Sequence, residues 1–141
     1  MRDMTTRVLL IVIAFSNGVV GLWASIAPQS FYDDFPSAGR HWVALDGPFN
    51  EHLVRDVGTL NLALTGVVIA ALLRPSRYLV QVVAGAALIN SLPHLLYHAT
   101  HLDPYGSADK VALVGSLSLA ALAPIALLVV SSRASDRAIK V

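Results

Sequence analysis

The sequence contains no cysteine and little charge: 13% of its 141 residues are charged and 55% are hydrophobic. Without cysteine there is no disulfide, no thiolate nucleophile and no thiolate metal ligand, so any chemistry must use oxygen and nitrogen groups. A soluble domain carries roughly twice this charged fraction, and a membrane protein is the class that fits. The net charge is +1. The basic residues lie at segment ends without interleaved aromatics, which excludes a nucleic-acid binder.

What is present is long apolar runs. About 20 residues of helix cross the roughly 30 Å hydrocarbon layer, because every backbone polar group must be satisfied within the segment. Four stretches qualify: residues 7–27, 50–73, 78–102 and 110–130. Pro28, "RPSR" at Arg74 to Arg77 and "DPYGSAD" at Asp103 to Asp109 break the chain between them. The last two joints are short, which favours antiparallel neighbours. The expectation is an all-α, four-helix transmembrane bundle forming a single integral domain, with a long extracytoplasmic loop between helices one and two. A cleaved signal peptide is the competing reading of the first stretch, since Arg2 and Arg7 precede it and "ASIA" ends it with small residues; its length favours a span.

Arg2, Arg7, Arg74, Arg77, Arg133, Arg137 and Lys140 fall on one side of these spans, which makes that side cytoplasmic and places both termini there in a cell membrane. The other side has Arg40 and Lys110 together with Asp33, Asp34, Asp46, Asp103 and Asp109.

Two polar patches share one depth near that outer side. "NEHLVRD" opens span two with Asn50 as a helix cap, and "PHLLYHATHLD" closes span three. At 1.5 Å per residue, Arg55 and Asp56 stand roughly 25 Å from Leu73, and His94 stands roughly 24 Å from Tyr78. Asn90, His94, Tyr97, His98 and His101 share a sector of roughly 100°, and Glu51, His52, Arg55, Asp56 and Thr59 one of roughly 140°. Ionisable groups at membrane depth face the bundle interior and pair. Arg55 is expected to pair with Asp56 or, better placed, with Glu51. The histidines are expected to donate to those carboxylates, so that spans two and three enclose a pocket.

Three chemistries fit that pocket. His94, His98 and His101 with Glu51 would form a ligand set for a divalent transition metal, although the glutamate of "HExxH" and the repeated Glu-x-x-His of di-iron bundles are absent. Glu51, His52, Arg55, Asp56, His94 and His98 would form a metal-free acid and base site, with Asn90, Tyr97 and Trp42 holding a lipid, isoprenoid, polyketide or quinone-like molecule. The third reading is a structural polar network in a non-enzymatic accessory or scaffold subunit, partnered by a second copy or by another membrane protein. Secondary transport fits less well, since the chain lacks repeated, interrupted helices.

Pro93 is expected to free the carbonyl near Ile89, with Asn90 or Ser91 re-satisfying it, while Pro124 reads as packing. The loop holding Phe31, Tyr32, Phe35 and Trp42 reads as an interfacial segment that also caps the pocket. Asn17, Gly18 and Gly21 read as a close helix contact.

At "GPFNEHLVRDVGTLNLAL" and "LPHLLYHATH" the sequence resembles a group of small actinobacterial four-helix membrane proteins, loosely DoxX-like in size and arrangement. The resemblance implies the bundle and supplies no reaction.

Overall fold

The structure, a computed structural model, describes residues 4–138 and the side chains as far as residue 132. Four long helices account for most of it: α1 (Met4–Ile26), α3 (Glu51–Leu73), α4 (Arg77–Thr100) and α5 (Ser107–Ala138). A short helix, α2 (Pro28–Asp34), and a 3-10 turn (Ala44–Asp46) lie between α1 and α3. Each long helix is long and apolar enough to cross a membrane, as hydropathy predicts. Arg2 and Lys140, and the side chains of Arg133 and Arg137, lie outside the described residues.

Local chemistry sets the boundaries. Asn50 caps α3 by accepting from the Leu53 amide at 3.1 Å, and Ser76 caps α4 by accepting from the Leu79 amide at 3.1 Å. Pro28 opens α2, where its missing N–H costs nothing. Helix α4 ends at Thr100, leaving His101 as its cap, and α5 starts at Ser107, earlier than the expected Lys110, with Asp109 in its first turn.

The bundle has a turn end, where Arg74 to Ser76 joins α3 to α4, and a loop end, which carries α2 and the 3-10 turn. At the turn end one core unites all four helices through Leu10 and Ile13, Val68 and Ala71, Val83 and Ala87, and Leu127. Pro124 is fully buried, consistent with packing. At the loop end the core divides. Ala24, Phe31 and Val54 join α1, α2 and α3, while Trp42, Tyr105 and Leu113 join the loop to α5.

Two glycines explain which helices pair. A Cβ on Gly21 would stand 2.9 Å from the Leu62 side chain, and one on Gly58 would stand 2.6 Å from the Ser25 backbone nitrogen. Small residues at these points let the backbones of α1 and α3 approach closely. Gly21 meets the sequence expectation, and Gly58 supplies the other half of the contact from α3. Consequently α3 packs chiefly on α1, and α4 chiefly on α5. Large apolar side chains such as Val8, Phe15, Leu60, Ile89 and Leu119 remain exposed around the bundle. So extensive an apolar surface marks contact with lipid or with another membrane chain.

Candidate functional site

The polar groups of the loop end gather around two aspartates. Asp46 closes the 3-10 turn, and Gly47 after it adopts φ 148°, a conformation that favours glycine. The Tyr105 hydroxyl donates to Asp46 Oδ2 at 2.9 Å, and Nε2 of His98 stands 3.8 Å from the same oxygen. The hydroxyl also lies 3.2 Å from the Trp42 carbonyl. It has one proton, and the charged acceptor at the shorter distance takes it. Burial, and then the hydrogen bond and charge of Asp46, push the Tyr105 phenol well above its ordinary pKa.

Asp109, in the first turn of α5, holds the other half of the network. Its Oδ1 accepts from the Trp42 indole Nε1 at 2.9 Å and from Arg40. Trp42 and Tyr105 meet edge to face with centroids 6.5 Å apart. Residues 40–46 are therefore latched to the α4–α5 junction by two carboxylates, one on each side of the contact.

Of the α4 histidines, His98 is the buried one, at 7% exposure, and its Nδ1 has no hydrogen-bond partner among the described residues. His94 is exposed and packs edge-on against His98 at 4.7 Å. His101 stacks on Tyr97 at 4.2 Å and holds the Tyr97 carbonyl through Nδ1 at 2.8 Å. The sequence singled out His94 by depth; helix packing instead encloses His98, one turn nearer the loop.

The α3 patch is self-contained. Arg55 Nε donates to Glu51 Oε1 at 2.9 Å, the i, i+4 pairing expected, and its terminal nitrogen reaches the Ser25 carbonyl on α1. His52 Nε2 lies 3.5 Å from Asp56 Oδ2, with the two side chains 88% and 53% exposed. On a helical projection they lie roughly 120° to 160° around from Gly58, the contact with α1, and are turned away from Val68 in the core.

The expected meeting of the two patches is therefore corrected. Among the described residues, no hydrogen bond or ion pair joins Glu51, His52, Arg55 or Asp56 to His94, His98 or His101. His98 faces Asp46 and Tyr105 instead, while the glycine contact draws α3 onto α1. His94, His98, His101 and Glu51 are not assembled around a common point; among the described residues, no three His, Asp or Glu groups come together as a metal site requires.

The three ligand-contacting candidates also separate. Trp42 is buried with its indole committed to Asp109, Tyr97 is half exposed, and Asn90 Nδ2 reaches Asn17 Oδ1 at 3.4 Å. Asn90 thus spends its amide on α1 rather than on a carbonyl freed by Pro93, and Ser91 Oγ is buried without a partner among the described residues. Asn17 joins α1 to α4 rather than to α3. Two shallow hollows open at the loop end. One, of about 430 Å³, lies beside Phe49, Glu51 and Arg55; the other, of about 300 Å³, lies between Asp46, Tyr97, His101 and Asp103.

Sequence reasoning missed Arg40, Asp46, Tyr105 and Asp109 as site residues and counted the charged ones only as evidence of orientation. The available signal was an aromatic with a carboxylate four residues on, before α3 and again after α4: Trp42 with Asp46 in the loop, and Tyr105 with Asp109 at the start of α5. No protein-family model, curated protein or solved structure matches this chain.

Proposed function

We propose that this protein is a non-enzymatic accessory or scaffold subunit of a membrane complex, lying in the membrane with its loop end outward and both termini cytoplasmic. The observation that carries the reading is the division of the ionisable groups into separate pairs. Arg55 is committed to Glu51 and Ser25, Asp109 to Arg40 and Trp42, and Asp46 to Tyr105 beside His98. An acid and base site needs a proton donor and acceptor converging on an open reaction centre. Here Asp46 and Asp109 hold the loop to the bundle, and Glu51 is taken by Arg55 on its own helix.

The His52–Asp56 pair supports the accessory role. It faces outward from α3, with Asp56 seventeen residues from Leu73, roughly 25 Å along a helix that crosses about 30 Å of hydrocarbon, and His52 one turn further out at the membrane edge. A carboxylate turned toward lipid at that depth is costly. A polar side chain from a neighbouring transmembrane helix, in a second copy or in another protein, would offset the cost.

A photo-crosslinking amino acid at position 52, activated in living cells, tests this reading. A discrete protein adduct is expected from position 52 and not from Ile69, an exposed apolar position on the same helix. Adducts to lipid alone from both positions would rule the reading out.

A further inference from the structure

The outward face of α3 carries more than the His52–Asp56 pair. His52, Asp56, Thr59, Ala63, Gly66 and Ala70 follow one another at alternate steps of four and three residues and fall within a sector of roughly 80°. All of them are exposed, and the sector lies opposite Val54 and Val68, which are buried in the bundle. A Cβ at Gly66 would meet nothing within 4 Å, so no contact inside the chain requires a small residue there. Larger apolar side chains stand exposed to either side, Leu60 and Val67 along one edge and Ile69 and Leu73 along the other. The face is a shallow groove floored by small residues, with an ion pair at its outer end.

The ion pair decides what fits against this face. His52 Nε2 comes only to 3.5 Å from Asp56 Oδ2, and among the described residues neither side chain makes a hydrogen bond, so the ring N–H and the carboxylate both remain to be spent. A face that presents one donor and one acceptor a turn apart is complementary to itself. Copies of one chain insert with the same topology, so a two-fold axis along the membrane normal sets α3 beside α3, parallel and at equal depth. Steps of four and three are then the heptad seam of a crossing at about 20°, in which each residue nests against the positions three and four along the facing helix. His52 meets the partner's Asp56, and Asp56 meets the partner's His52. Ala63, Gly66 and Ala70 let the two axes approach closely below them.

We infer that α3 docks on α3 of a second copy of this chain, in a parallel two-fold pair held by reciprocal His52–Asp56 contacts across the seam. An unrelated helix would have to bring a matching acid and base to the same depth; a second copy brings them by symmetry. This pairing rests on the accessory reading and names its partner.

The chain has no cysteine, so single cysteines in the full chain report the seam directly in cell membranes. On oxidation, Ala63→Cys and Gly66→Cys should give a species of twice the chain's mass, whereas Leu53→Cys and Ile69→Cys, exposed to either side, should not, since a disulfide needs Cα atoms within about 7 Å. With Gly66→Cys as the reporter, His52→Ala and Asp56→Ala should each weaken the pairing about tenfold, the scale of one hydrogen bond to a charged group. Expressing these two variants together under different tags restores one His52–Asp56 pair across the seam, and the cross-link between differently tagged chains should return. Ala63→Leu, which adds bulk on a face the bundle does not use, should abolish the cross-link and leave the helical circular dichroism unchanged. Equal cross-linking at positions 53, 63, 66 and 69 would overturn the inference, and so would a mixed pair that is not rescued. A discrete adduct from position 52 to a different protein, with no species of twice the mass, would overturn it while leaving the accessory reading in place; adducts to lipid alone would end both.

Discussion

Asp46 and Tyr105 stand 59 residues apart in sequence and meet through a 2.9 Å hydrogen bond that closes the loop of one half of the bundle onto the other. Removing Asp46 leaves the hydroxyl of the buried Tyr105 with only the longer contact to the Trp42 carbonyl, whereas removing the hydroxyl leaves a partly exposed carboxylate. Asp46→Ala is therefore expected to destabilise the protein by about 1–3 kcal/mol, and Tyr105→Phe by a similar or smaller amount. Denaturant titration in detergent micelles measures both. Their double mutant should cost clearly less than the sum, since the two residues share one bond.

The same bond sets a dependence on alkaline pH. The Tyr105 phenol titrates higher in the folded protein than the value of about 10 expected when unfolded. Its contribution is therefore complete below about pH 10 and declines as pH rises beyond it, because the unfolded state then releases the proton first. Thermal melts between pH 8 and about pH 11 should show a steeper alkaline loss for the native protein than for Tyr105→Phe.

Asp109 holds the loop through two donors, Arg40 and the Trp42 indole. Asp109→Ala leaves that indole N–H unpaired in a buried ring, at a cost of about 1–3 kcal/mol. Limited proteolysis should then cut within residues 36–49 faster than in the native protein. Arg40→Ala should be milder, by less than about 1 kcal/mol, since its side chain is half exposed.

Gly58 and Gly66 make a matched pair on α3. A Cβ at Gly58 would stand 2.5 Å from Ser25 Oγ and 2.6 Å from the Ser25 backbone nitrogen, whereas one at Gly66 meets nothing within 4 Å. Gly58→Ala should cost about 1–3 kcal/mol by forcing α1 and α3 apart. Gly66→Ala should be neutral or stabilising by up to about 1 kcal/mol, the helix preference for alanine over glycine. Denaturation of the two variants side by side decides it.

The features legible in the sequence are those set within one segment. The Asn50 cap, the Glu51–Arg55 pair and the four spans all follow from neighbours on a single helix or from the length of an apolar run. The partner of His98 did not follow, because Asp46 lies in a loop with no periodicity to fix its direction. Trp42 reads in sequence as a ligand contact because its long loop is expected to cap the pocket; in the structure Asp109 and Tyr105 enclose it.

The sequence by itself determined that four helices long and apolar enough for a membrane would form, where α3 and α4 would start, and which polar residues would share a face. Only the tertiary structure decided which faces meet. Helical periodicity places side chains around one axis but says nothing of the distance between two axes. That distance was set by Gly21 and Gly58, which draw α3 against α1, and by the Asp46 and Asp109 latches, which hold the loop to α4 and α5. At the loop end α3 packs on α1 and His94 is left exposed, where equal depth alone had suggested an enclosed site.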